Sequence, residues 1–234
     1  MSDNSVYKYY SEFANSSEKS DLYSLFNPGE LYMRQARERT TLRMLKALNR
    51  ENLIDQNILE VGCGRGHQIG EYLRWGALPT KISAIDLLPA FVEEAGARFP
   101  GCTIQEGSAL ELPFPNASFD LVSQSTGMSS LIVEKDRQQM AREMARVLKP
   151  GGAILWSDFR FNSPKNNNVR KVTRSDIHGL FPDLEIHLKS NNLLPPLVRK
   201  LAPVSYTLTS LFDTIPFLHN HLRGIFVKQG IKPQ

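Results

Sequence analysis

Two carboxylates and three closely spaced glycines carry most of the chemistry that can be read from this chain. In Ile58-Leu59-Glu60-Val61-Gly62-Cys63-Gly64-Arg65-Gly66 an apolar run gives way to glycine at every second position. Glycine adopts backbone angles that cost other residues strain, so the spacing predicts a tight turn. Its amides would lie open to a ligand, and the helix after it would pack close to the strand before it. Glu60 stands two residues ahead of the turn. Sites for a pyrophosphate space their glycines as G-x-G-x-x-G and present a helix N-terminus to the anion. An acid beside the turn instead favours a ligand carrying an ammonium group. Asp86 closes a second apolar run, 24 positions after Gly62. If the two runs are adjacent parallel strands, its carboxylate reaches the same sheet edge as the turn. Its alternative role is to cap a helix starting at Pro89.

These groups need a frame. Short β-rich runs at 57–61, 81–86, 102–106, 118–124 and 153–159 alternate with helical runs at 68–75, 89–99 and 134–148. That alternation predicts an α/β fold with a mostly parallel sheet covered by helices on both faces. The last of these helices should stop at Lys149-Pro150-Gly151-Gly152, where proline cannot continue it and glycine permits a left-handed turn. Further on, a helix is expected at 175–181, a strand at 184–189, a proline-interrupted helical insert at about 195–217 and a closing strand at 221–227. The expectation is a Rossmann-like, seven-stranded domain over 53–234, preceded by an N-terminal helical cap over 1–52. In the cap, Tyr7, Tyr10, Phe13, Leu22, Leu25 and Phe26 are apolar anchors, Asn27-Pro28-Gly29 is a turn, and a helix runs over 31–48.

Composition narrows the class. Cys63 and Cys102 are the two cysteines, too few for a disulfide or zinc framework, and they fit a cytoplasmic protein. The start of the chain has no signal-peptide pattern, and no apolar run is long enough to span a bilayer. The formal net charge is +4, divided as +6 beyond residue 150 and −2 before it. The basic residues of the second part are scattered pairs without interleaved aromatics, which argues for a solvated face and against a nucleic-acid groove.

The glycine turn, Asp86, the stretch Gly107-Ser108-Ala109, strand 118–124 and the Lys149-Pro150-Gly151-Gly152 turn, in this order, resemble the class I S-adenosylmethionine-dependent methyltransferases over about 57–159. The resemblance implies that Gly62, Cys63, Gly64 and Gly66 cradle the methionine part of S-adenosylmethionine, and that Glu60 helps hold its amino group. It implies that Asp86 takes the ribose hydroxyls, with Leu87 beside the adenine. Gly107, Ser108 and Ala109 would border the adenine, with Ser108 where the family commonly has an Asp, and Gln124 and Ser125 would lie near the transferring methyl. The product would be S-adenosylhomocysteine, and no metal is expected. Beyond residue 157 the chain is similar to a bacterial small-molecule subgroup of the family.

Methyl transfer from a sulfonium needs alignment and exclusion of water more than a nucleophilic residue. A general base helps only where the acceptor must lose a proton, and His67 and Asp158 are the candidates at the carboxyl edge. Tyr23, Phe26, Tyr32 and Met33, with the loop 127–131, would form the acceptor pocket, and their apolar character favours a small organic molecule attacked at O or N. The rival acceptors are a lipid-like or quinone molecule at a membrane surface, for which 193–217 supplies leucines and Arg199-Lys200, and a nucleic acid or protein. Gln124-Ser125-Thr126-Gly127 stands where a base-amine methyltransferase would carry an Asn/Asp-Pro-Pro-Tyr tetrad. A homodimer is compatible with the sequence.

Overall fold

The computed structural model describes Tyr7, Tyr10, Ser11 and residues 24–162 and 166–230. The expected anchors Phe13 and Leu22 and the expected lid residue Tyr23 lie outside the described residues.

One sheet of seven strands organises the chain: β1 (Ile58–Val61), β2 (Ile82–Asp86), β3 (Thr103–Glu106), β4 (Phe119–Ser125), β5 (Leu148–Phe159), β6 (Leu184–Leu193) and β7 (His219–Lys228). Their spatial order is β3-β2-β1-β4-β5-β7-β6. The first five pair in parallel, and β7 runs antiparallel to both its neighbours. The helices are α1 (Pro28–Ala47), α2 (His67–Arg74), α3 (Pro89–Arg98), α4 (Gly127–Ser130), α5 (Glu134–Val147), α6 (Arg174–Leu180), α7 (Pro195–Leu201) and α8 (Tyr206–Phe212). The seven-stranded Rossmann-like expectation therefore holds.

Parallel strands buried on both faces must be apolar on both, and every residue of β1 is buried. One face sends Leu59, Val122, Ile154, Trp156 and Phe226 against Met140, Met144 and Val147 of α5 and Ile177 of α6. The other sends Ile58, Ile82, Leu121, Leu155 and Ile225 against Met44 and Leu45 of α1 and Ile69 and Tyr72 of α2. β1 lies between β2 and β4, so the chain winds outward in opposite directions from β1 and β4. A crevice opens at the carboxyl ends of such a pair.

Three local features differ from the sequence expectation. Asn27-Pro28-Gly29 is not a free turn: the Asn27 side chain accepts from the amides of Gly29 and Glu30, and Pro28 is the first residue of α1. The 149–152 turn sits inside β5. Leu148 pairs with Phe119, the register shifts, and Ala153 pairs with Leu121, with Gly151 at φ 76° in the bulge. β6 continues to Leu193 because Ser190, Asn191 and Leu193 pair with Leu222, His221 and His219 of β7, although Ser190, Asn191 and Asn192 break the apolar pattern of a strand.

Gly66 caps α2 at φ 78°, and a Cβ there would sit 2.7 Å from Cε2 of Phe99. Gly66→Ala is expected to cost about 2 kcal/mol, combining left-handed strain with overpacking. Urea unfolding measures this, and a loss below about 0.5 kcal/mol would show that the Phe99 ring yields freely.

Candidate active site

The glycine turn is fastened to the neighbouring strand. The amides of Gly62 and Cys63 donate to the carbonyl of Ile85 at 2.8 and 3.1 Å. The amide of Gly64 donates to the Asp86 carboxylate at 2.7 Å, whose other oxygen accepts the amide of Leu88 at 3.0 Å. Burial pushes the Asp86 carboxyl above its ordinary pKa, while the amides of Leu88, Gly64 and Leu87 oppose the shift. Gly62 and Gly64 have positive φ, and a Cβ built on either meets nothing within 4 Å. The turn thus presents an open backbone surface beside a buried acid.

The other expected cofactor residues border the same edge. Leu87 follows Asp86, and Gly107, Ser108 and Ala109 follow β3, all half-buried. Gly107 donates its amide to the Asp86 carbonyl at 2.9 Å. The Ser108 hydroxyl accepts the amide of Leu110 at 3.1 Å. Cys63 is buried, and burial, with Asp86 and Glu60 nearby, pushes its thiol up, so it stays protonated and inert.

Glu60 faces the side of the sheet covered by α1 and α2. It is 2% exposed and accepts from the hydroxyls of Ser123 and Tyr72. Burial, only partly offset by these bonds, pushes its carboxyl up to about 7. On this face a polar stripe crosses the carboxyl ends of the parallel strands and the amino end of β7, formed by Glu60, Ser123, Ser125, Ser157, Arg223 and His221. Register pairs Glu60 with Ser123, Ser125 with Ser157, and Ser157 with Arg223. Arg223 is 7% exposed and donates to the hydroxyls of Thr41 at 2.9 Å and Ser157 at 3.1 Å, while its buried Nε has no partner. The His221 ring packs on Phe159 at a tilt of 40°, with 4.4 Å between ring centres. Burial first, then Arg37 and Arg223, push its imidazole down to about 3. Sequence reasoning missed Tyr72, Ser123, Ser157, His221 and Arg223. A signal existed in the polar residues spaced two apart inside otherwise apolar strands.

His67, the first residue of α2, is exposed directly after Gly66. Desolvation, then the guanidinium groups of Arg34, Arg98, Arg37 and Arg65, push its imidazole down to about 4. Asp158 lies on the opposite face of the sheet, fully buried, and accepts the amides of Ser129 and Phe159, each at 2.9 Å. Burial pushes its carboxyl up to about 6. Gln124 is 2% exposed. It accepts the amides of Gly127 and Met128 and donates to the carbonyl of Ser157, tying α4 to the end of β4. Ser125 is half-buried at the edge.

The aromatic residues expected to line a pocket are placed differently. Tyr32 and Met33 pack with Ala36 against Leu193, Val198 and Ala202, so they knit α1 to β6 and α7. Phe26 is 98% exposed, and Met128 and Leu131 belong to the core under α5. Apart from Phe26, their apolar character goes into packing. Tyr10 does reach the loop, its hydroxyl 2.7 Å from that of Ser130. Cavities of about 560 and 170 Å³ lie between α1, β6 and α8, bordered by Arg39, Arg43 and Asp213. Arg34 and Arg37 project from the other side of α1. Among the described residues no group of His, Cys, Asp and Glu is placed to hold a metal ion, and no helix is long and apolar enough to cross a membrane.

Residues 58–152 match a methyltransferase domain family. Over these residues the chain is similar to S-adenosylmethionine-dependent methyltransferases. It is 34% identical over 111 residues to a phthiotriol/phenolphthiotriol dimycocerosates methyltransferase of Mycobacterium leprae, covering 47% of this chain and 40% of that protein. It is 32% identical over 108 residues to the 27-O-demethylrifamycin SV methyltransferase of Amycolatopsis mediterranei, covering 44% and 38%. The chain thus matches about two fifths of the length of these relatives. The YcgJ protein of Bacillus subtilis shares the fold at a TM-score of 0.60 and 17% identity, over 83% of this chain and 99% of that one. The [4+2]-cyclase SpnF superposes equally well, at 0.60 and 18% identity over 84% and 82%. A fold that also serves a cyclase leaves the reaction to the residues of the site.

Proposed function

We propose that this protein transfers a methyl group from S-adenosylmethionine to an O or N atom of a small organic molecule. The observation that carries the reading is the contact between the glycine turn and the second-strand acid: Gly64 and Asp86 meet at 2.7 Å at the switch point. The residues fit the cofactor. An open glycine backbone accommodates its amino-acid part, a buried carboxylate beside it suits two ribose hydroxyls, and Glu60 offers a carboxyl to an ammonium. When bound, the cofactor supplies an electrophilic methyl carbon and a thioether leaving group.

The protein's own part is then to orient and enclose. Gln124 holds α4 against the end of β4, so Ser125 and Thr126 keep a fixed position at the edge. With its imidazole near 4, His67 is neutral at pH 7 and is a weak base. In our reading Asp158, with an amide on each oxygen, positions the first turn of α4. Calorimetry with S-adenosylhomocysteine tests the proposal: one molecule should bind per chain, and a crystal should show it spanning Gly62 to Asp86. Binding of a nicotinamide dinucleotide in its place would overturn the reading.

A second reading, a lipid-like or quinone acceptor at a membrane surface, is favoured by one observation. The α7–α8 insert exposes Val204, Leu211 and Phe217 at 79%, 64% and 71% beside Arg199 and Lys200. Relatives named as acting on phthiotriol dimycocerosates and on demethylmenaquinone accord with it. Flotation with anionic liposomes should carry the protein upward, and Leu211→Ser with Phe217→Ser should abolish this. A protein that stays at the bottom of the gradient removes the membrane reading.

A further inference from the structure

Thr40 of α1 fixes the direction of a buried amide on β6. Its hydroxyl donates its one proton to the carbonyl of Ala36 at 2.9 Å, so toward Asn191 it can only accept, from Nδ2 at 2.5 Å. The Oδ1 of Asn191 is thereby left buried without a donor, as is the Oδ1 of Asn192 beside it. The two residues are 5% and 3% exposed. A buried acceptor with no partner is costly and calls for a group that donates to it. Both asparagines line the cavity of about 170 Å³, which shares Arg39, Arg43 and Asp213 with the adjoining cavity of about 560 Å³. His219 is the one other charged or titratable group on its lining besides Tyr32 and Tyr206. Asp213 is taken up inside the protein, by the Tyr32 hydroxyl at 3.1 Å, the Leu193 amide at 3.2 Å and the His219 ring at 3.3 Å. Arg39 and Arg43 are exposed one turn apart on α1 and make no hydrogen bond or ion pair with any described residue, Arg39 lying 5.9 Å over the Tyr32 ring. Glu38, the acid next to Arg39, is engaged by Arg74 and Trp75. Tyr206 stacks on Tyr32 with ring centres 5.8 Å apart, and its hydroxyl donates to the carbonyl of Pro28. Its ring is therefore a fixed, partly open wall of the larger cavity.

We propose that these adjoining cavities bind a phosphorylated sugar, with its phosphate on Arg39 and Arg43, its hydroxyls donating to Asn191 and Asn192, and a C–H face against the Tyr206 ring. Guanidinium groups match phosphate oxygens in charge and in geometry. A hydroxyl is the donor that suits two amide oxygens here, because an ammonium in its place would be repelled by the two arginines. The larger cavity falls within the range of sites for small organic ligands. The site is separate from the glycine turn. Arg39, Thr40 and Arg43 line the cavities on one side of α1, whereas Thr41 bonds Arg223 and Arg37 lies near Glu71 on the other. It stands beyond the methyl-transfer reading and does not rest on it.

The test titrates the full chain by calorimetry with ribose 5-phosphate, with ribose and with inorganic phosphate. Ribose 5-phosphate should bind once per chain and at least about tenfold more tightly than either of the others, the scale of one added hydrogen bond. Replacing both arginines, Arg39→Gln with Arg43→Gln, should weaken it at least about tenfold and leave the urea midpoint unchanged, because both side chains are exposed. Asn191→Ala should bring ribose 5-phosphate toward the affinity of inorganic phosphate and leave inorganic phosphate as it was. Asp86→Ala should change the affinity for ribose 5-phosphate by less than about twofold, the scale of a surface change far from the site. A chain that binds no ribose 5-phosphate, or binds it only as well as inorganic phosphate, would overturn the proposal. So would a double arginine variant with native affinity, or a loss of binding in Asp86→Ala, since the sugar would then sit at the glycine turn. None of these measurements involves S-adenosylhomocysteine, so their outcome is distinct from that of the methyl-transfer reading.

Discussion

Asp86→Ala is expected to weaken binding of S-adenosylhomocysteine by about 1.5 to 3 kcal/mol, the range for hydrogen bonds to a charged group. The loss has two sources that a second substitution separates. One is direct, since the ribose loses a buried ionic acceptor. The other is conformational, since the amides of Gly64 and Leu88 lose theirs and the turn is no longer pinned to β2. Asp86→Asn keeps an acceptor oxygen and the shape of the side chain but removes the charge. If the carboxylate acts mainly on the ligand, Asn should lose nearly as much affinity as Ala while retaining most of the native stability. If it acts mainly on the turn, Asn should recover the affinity. Calorimetry together with urea unfolding of both variants decides between the two, and an Ala variant with native affinity would remove Asp86 from the site.

What the sequence makes legible is whatever depends on neighbours along the chain. The glycine turn, its strand and its helix occupy consecutive residues, and their physics is local. The ends of β1 to β4 and of β7 fall within two residues of expectation because proline, glycine and charged residues bracket each apolar run, whereas β5 begins at Leu148 and β6 runs on to Leu193. What depends on which strand lies beside which is not legible. Glu60 meets Ser123, 63 positions away, because β4 occupies the far side of β1. Two residues expected at the methyl, Gln124 and Ser125, are consecutive on one strand and so cannot share a face. The structure gives Ser125 the face of Glu60 and turns Gln124 into the opposite core. The same parity separates Asp158 from Ser157. Once Glu60 fixes a face, counting by twos along β4, β5 and β7 selects Ser123, Ser125, Ser157, Arg223 and His221, but their alignment needs the register that only the folded sheet supplies. The contribution of α1 was hidden for a different reason. Tyr32 and Met33 drew attention, yet they are consumed in packing against β6 and α7, whereas Arg37, on the other side of the helix, lies near Glu71 and Arg223.

Glu60 should make cofactor affinity depend on pH in a direction the structure fixes. In the free protein burial holds this carboxyl near 7, against 4.5 for an ordinary glutamate. The folded state therefore keeps a proton that the unfolded chain has lost. Its contribution to stability is fully present below about 4.5 and declines as pH rises to about 7, by on the order of 3 kcal/mol. Glu60→Gln should flatten that limb and leave the free protein more stable than native at pH 8. An ammonium bound against Glu60 reverses the preference, because it favours the carboxylate, and binding then expels the proton. Affinity for S-adenosylhomocysteine should accordingly rise between pH 6 and pH 7.5, by up to about tenfold per pH unit, and level off above. Calorimetry in buffers of different ionisation enthalpy should register close to one proton released at pH 6 and almost none at pH 8. In Glu60→Gln the proton release should vanish and the affinity should be lower and flat across the range. A native protein that binds equally at pH 6 and 8, with no proton released at either, would mean that the ammonium group lies elsewhere and that Glu60 serves only to join β1, β4 and α2 through Ser123 and Tyr72.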